Sequence, residues 1–247
     1  MKTKSINWLF IIICVVALFV GCSPKVETDL LECDAATMTQ FPYNENGVIV
    51  AKHQKITPVA EHPGMVKIET YYVNEGKPIT VRAYEMCRTE VEATDSVVWS
   101  LQPSSTSGRL DWVLPVTEGF KKENYLGMNN TDYGGGIPMV DLWQKDGGVA
   151  IGLIEPVLRM ISMPVEWKRY ENKVTMSLRY EFEWPVELNT GDTLHTFTAF
   201  RYEHKGDFFN ALRTFSEVMQ KDAGIELPAS EPEAFEPVWC AWGYERT

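Results

Sequence analysis

The chain has 247 residues, 23 Lys+Arg against 34 Asp+Glu, a formal net charge of −11 and a hydrophobic content of 45%. That apolar content, with 12% aromatic residues, is enough for a packed core and excludes wholesale disorder. The acidic balance excludes binding to a phosphate backbone, which needs a basic face, so no nucleic-acid partner is expected.

At the start, Lys2 and Lys4 precede the apolar run Trp8 to Val20, which ends at Gly21-Cys22. A charged n-region, a short apolar h-region and small residues before the cut predict a secretory signal over 1–22. The run falls short of the about 20 apolar residues that span a bilayer. Cys22 is open to two readings, an incidental residue of an ordinary signal or a lipidated one. Phe19-Val20-Gly21-Cys22 resembles a bacterial lipobox, which implies lipidation of Cys22 and a membrane anchor there. A place in the bacterial cell envelope, periplasmic or outer-surface, follows from that resemblance. Residues 23–45, opening on Ser23-Pro24-Lys25-Val26-Glu27-Thr28-Asp29, read as a polar tether.

From 46 to 206 the pattern is mainly period two. Met65 to Val73, Ile79 to Glu85 and Val174 to Phe182 alternate β-branched or aromatic residues with polar ones. Turn residues at 74–78 and 189–192 separate them, and Leu194 to Tyr202 continues the style. Many short strands predict a large antiparallel sandwich of two apposed sheets. A helix then follows over 207–224. Asp207 is placed to cap it, Phe208, Leu212, Phe215 and Met219 share one face, and Gly224 ends it. Residues 225–237 carry Pro228, Pro232 and Pro237 with several Glu, the composition of a linker. After it, Val238-Trp239-Cys240-Ala241-Trp242-Gly243-Tyr244-Glu245 reads as one buried strand. A single strand needs partners. Either it opens a domain that continues beyond Thr247, or it docks on the sandwich as a tail.

Little here points to metal or cofactor chemistry. The five Cys are scattered, and His53, His62, His195 and His204 are never at metal-ligand spacing, so no metal and no cofactor are expected. Gly134-Gly135-Gly136 lacks the ending of a phosphate loop and reads as a sharp backbone turn. Cys87 reads as a buried small hydrophobe. Asp111-Trp112 and Glu183-Trp184 have the form of acid–aromatic sugar-binding pairs. On an alternating strand, however, such neighbours are one core and one solvent residue. Asp141 and Trp143 share one face of their strand.

Three stretches carry a resemblance to a known family. They are TDYGGGIPMVDLWQKDGGVAIGLIEP (131–156), YEFEWPVELNTGDTLHTFTAFRYEHKGDFFNALRTFSEVM (180–219) and FEPVWCAWGYE (235–245). The chain resembles the N-terminal part of the melibiase-type α-galactosidases, glycoside hydrolase family 36 of clan D. That resemblance implies a β-supersandwich over 46–206, the helix, the linker and the first strand of a (β/α)8 barrel at 238–247, where the chain is truncated. It also implies a parent enzyme that removes terminal α-galactosyl residues from oligosaccharides with retention. Its two carboxylates would lie on later barrel strands, so no catalytic residue is assigned in this chain. Trp242, Tyr244 and Glu245 would stand at the C-terminal end of the first barrel strand, the face where barrel sites are built. Trp143 and Tyr133 are candidates for an aromatic rim that the sandwich lends to a sugar site, its own or that of another copy in a homo-oligomer. The rival reading is a surface-anchored, non-catalytic carbohydrate-binding sandwich.

Overall fold

The computed structural model describes residues 29–93, 97–101, 112–126, 136–157, 159–168, 170–226 and 231. In chain order the strands are β1 (Leu30–Cys33), β2 (Thr37–Met38), β3 (Tyr43–Glu45), β4 (Val48–Pro58), β5 (Met65–Asn74), β6 (Ile79–Glu92), β7 (Trp99–Leu101) and β8 (Val113–Pro115). They continue with β9 (Lys121–Lys122), β10 (Met139–Gln144), β11 (Gly147–Leu153), β12 (Val165–Lys168), β13 (Lys173–Leu188), β14 (Thr193–His195) and β15 (Ala199–Lys205). The helix α1 (Phe208–Ala223) follows. The expected class, mainly antiparallel β with one helix, is what forms among the described residues.

The smaller sheet has the order β2-β1-β6-β13-β12-β9, and the larger has β3-β4-β5-β15-β11-β10-β7-β8 with β14 also on β5. Alternation along each strand sends one set of side chains between the sheets. Leu31, Val81, Tyr84, Met176 and Leu178 meet Val50, Tyr72, Leu142 and Ile151 there. The other face of the larger sheet carries Met65, Met139, Trp143, Ala150 and Phe200, and α1 covers it with Ala211, Phe215 and Val218. The molecule is therefore three layers, sheet on sheet on helix.

The helix is bounded as its caps predict. The Asp207 side chain accepts the Phe209 N–H, and Gly224 adopts a left-handed φ of 63°. Its buried face is rotated from the expected one. Ala211, Thr214, Phe215 and Val218 are buried, whereas Phe208, Leu212 and Met219 flank them. Small residues allow the backbone to approach the sheet, and the large ones close the sides.

Three departures from the sequence reading matter. First, the sandwich begins before residue 46. β1 pairs with β6, Leu31 is fully buried, and Asp29 is held by Lys52 at 2.5 Å and by the Cys87 N–H at 3.1 Å. The expected tether at 29–45 is therefore core structure, and its polar residues are those on the solvent side of short strands. Second, the turn at 74–78 separates strands of different sheets, which the sequence did not disclose. It carries the chain from the larger sheet to the smaller one, and 189–192 carries it back. Asn74, wholly buried, stitches the two passages: its amide donates to Lys77 O (3.0 Å) and Leu188 O (2.8 Å), and its own carbonyl accepts the Gly191 N–H (2.6 Å). Third, β13 slips register between Glu181 and Val186. The bulge lifts both Glu183 and Trp184 into solvent, so this pair does not alternate as a regular strand would. Cys87, at φ 55° beside the other slip in this ladder, is buried, and burial pushes its thiol well above the ordinary range.

Candidate functional site

Of the predicted site residues, Trp143 is the one among the described residues. Cys22, Tyr133, Trp242, Tyr244 and Glu245 lie outside them, as does the expected barrel strand at 238–247. Trp143 sits on β10, on the face that α1 covers. It is 8% exposed, with its ring 5.3 Å from that of Phe208 at the start of the helix. It is thus mainly a wall between sheet and helix.

Two residues along the strand, on the same face, lies a polar pair that the sequence did not disclose. Asp141 Oδ1 stands 2.9 Å from His204 Nε2, and both side chains are fully enclosed. His204 belongs to β15, so the imidazole reaches across the intervening β11 to meet the carboxylate. Gly148 on β11, the cross-strand partner of both Trp143 and His204, makes that reach possible. A Cβ on Gly148 would come within 2.5 Å of Trp143 Cβ and 2.8 Å of His204 Nε2, besides striking the Leu142 carbonyl. Gly148→Ala should therefore cost about 1–3 kcal/mol by overpacking. An unchanged thermal midpoint would mean that the crossing tolerates a methyl group.

The other ring nitrogen, Nδ1, faces the Lys205 carbonyl at 3.4 Å. With oxygen acceptors on both sides, the doubly protonated imidazole suits the position. Burial opposes that charge, but the Asp141 hydrogen bond and carboxylate outweigh it, so His204 holds its proton above the ordinary histidine value. Burial likewise pushes the Asp141 carboxyl up, more than the imidazole pulls it down. Oδ2 of Asp141 has no hydrogen-bond partner among the described residues. Enclosed as it is, the pair presents no surface to a bound solute. It acts as a fastener under the beginning of α1.

Beyond the helix start the same sheet face opens into a hollow of about 480 Å³ lined by Val97, Trp99, Trp143, Gln144, Lys145 and Asp207. Trp99 on β7 is the cross-strand partner of Trp143 and is 39% exposed. Sequence reasoning passed over it because β7 is only three residues long and gives no alternation to read. A second hollow of about 420 Å³ lies at the other end of α1. Its charged groups are taken up by each other, Lys55 by Glu69 and Lys67 by Asp222.

Comparison with known proteins gives a direction to these features. No family model matches the chain. Over 216 residues it is 23% identical to the A type blood α-D-galactosamine galactosaminidase of Flavonifractor plautii, an alignment covering 76% of this chain and 19% of that protein. The chain is similar to the N-terminal part of family 36-type glycoside hydrolases. It spans about a fifth of the length of that curated relative. Among solved structures, a family 36 α-galactosidase from Geobacillus stearothermophilus in complex with raffinose matches with a TM-score of 0.49 and 12% identity, over 74% of this chain and 31% of that one. The α-galactosidase from Lactobacillus brevis matches with a TM-score of 0.42 and 10% identity, over 78% of this chain and 31% of that one.

Proposed function

We propose that this chain is the non-catalytic N-terminal sandwich of an α-galactosidase-like glycoside hydrolase. The parent removes terminal α-galactosyl or α-galactosaminyl residues from oligosaccharides with retention of configuration. The observation that carries the reading is the 216-residue similarity to the galactosaminidase, joined to the three stretches quoted from the sequence. In this reading the sandwich braces a barrel that holds the two carboxylates, which in retaining enzymes stand about 5–5.5 Å apart. Trp242, Tyr244 and Glu245 belong to that barrel's first strand. Tyr133 is a candidate for the aromatic rim that the sandwich lends to a sugar site, and the sandwich surface also serves assembly into a homo-oligomer. Lipidation of Cys22 holds the whole in the bacterial cell envelope.

The test is to express the complete coding frame and, separately, these 247 residues. The two are assayed with 4-nitrophenyl α-galactoside and α-galactosaminide. Turnover of either substrate by the complete protein and none by this chain is expected. A complete protein that turns over neither substrate overturns the hydrolase reading, and activity in this chain alone overturns its non-catalytic role. Incorporation of labelled palmitate that disappears in Cys22→Ala tests the anchor separately.

A further inference from the structure

We propose that the hollow at the start of α1 is a saccharide-binding cleft in which Trp99 is the stacking platform. The cleft combines features that a neutral sugar ring needs and that an apolar partner does not. Trp99 and Trp143 face each other across β7 and β10, so their side chains stand on the same face of the sheet. Trp143 is covered by Phe208, whereas Trp99 keeps 39% of its surface open. The exposed indole of Trp99 offers an apolar face to the C–H side of a pyranose.

Polar groups stand around it. Lys145, in the turn between β10 and β11, supplies an ammonium donor. Asp207 supplies a carboxylate, one oxygen of which already accepts the Phe209 N–H at 3.1 Å, and a carboxylate accepts several hydrogen bonds. The hollow, about 480 Å³ and open to solvent, has room for a mono- or disaccharide unit lying against the indole. The wall is held in place from behind. Asp207 is fixed as the helix cap, and Trp143 lies on the same strand as the buried Asp141. The other hollow, with its charges paired among themselves, lacks an aromatic platform.

The choice of an α-galactoside as first ligand rests on the function proposed above, but the cleft itself does not. The test is titration of the 247-residue chain with raffinose and, in parallel, with maltotriose, followed by tryptophan fluorescence and calorimetry. Saturable binding of raffinose is expected. Trp99→Ala should weaken it about tenfold, the loss of the apolar aromatic face, while Trp99→Phe keeps most of it. Asp207→Asn, which retains a capping side chain, should weaken binding severalfold without changing the melting temperature. Trp184→Ala, at an exposed indole elsewhere, should leave it unchanged. Binding of maltotriose through Trp99 without raffinose would uphold the cleft and count against the α-galactoside reading. No binding of either sugar, or binding indifferent to Trp99→Ala and Trp99→Phe, would overturn the cleft.

Discussion

Asp141→Ala is expected to lower the folding free energy by about 3–5 kcal/mol, the cost of leaving one member of a buried charged pair without its partner. The imidazole of His204 would then face a void, in a region where both side chains are fully enclosed. Chemical denaturation of the purified chain measures the loss, and a change below about 1 kcal/mol would show that the substitution leaves no uncompensated charge buried. The same pair makes a pH prediction. His204 and Asp141 both hold protons more tightly folded than unfolded. The native state therefore binds more protons, and stability falls as pH rises. The His204 contribution is fully present below its ordinary value of about 6.5 and is lost as pH climbs through the raised folded value. Melting temperatures taken from pH 5 upward should thus decline above neutrality, and the decline should flatten in His204→Gln. An equal slope in that variant would assign the effect elsewhere.

Leu31→Ala is expected to cost about 2–5 kcal/mol. Leu31 is fully buried between the sheets, on a strand that pairs with β2 on one side and β6 on the other. Its neighbours belong to the core cluster shared by the two sheets, where packing limits collapse into the space left. The measurement discriminates between two views of 29–45. A tether would make the substitution silent, whereas a core strand makes it one of the most damaging changes in the chain. A urea midpoint shifted without a change in slope would mark lost stability alone.

The long elements were legible because their periodicity is long. Met65 to Val73, Ile79 to Glu85 and Val174 to Phe182 repeat an alternating pattern that composition does not blur, and they lie within β5, β6 and β13. The helix was legible from Asp207, Gly224 and the apolar stripe between them. β1, at four residues, and β7, at three, are too short to show a period. Turn residues at 74–78 and 189–192 revealed that the chain reverses there. They did not reveal that it changes sheet, because that depends on pairings made far away. The Asp141–His204 contact was hidden for the same reason, since a third strand lies between their strands and the two residues are 63 positions apart in sequence. Trp143 was singled out for its residue type, yet α1 lays Phe208 over it. The exposed indole of the pair is its neighbour across the ladder.

The order of strands in the smaller sheet sets a schedule for the ribosome. β6 has β1 on one side, already made when β6 emerges, and β13 on the other. β13 begins at Lys173, long after β6 ends at Glu92. Throughout that interval of synthesis one flank of β6 has no ladder, an open edge of the kind that invites association between nascent chains. Leu188, the final residue of β13, is also the acceptor for the Asn74 amide. Sealing that edge and locking the two sheets together are therefore completed by the same late stretch of polypeptide.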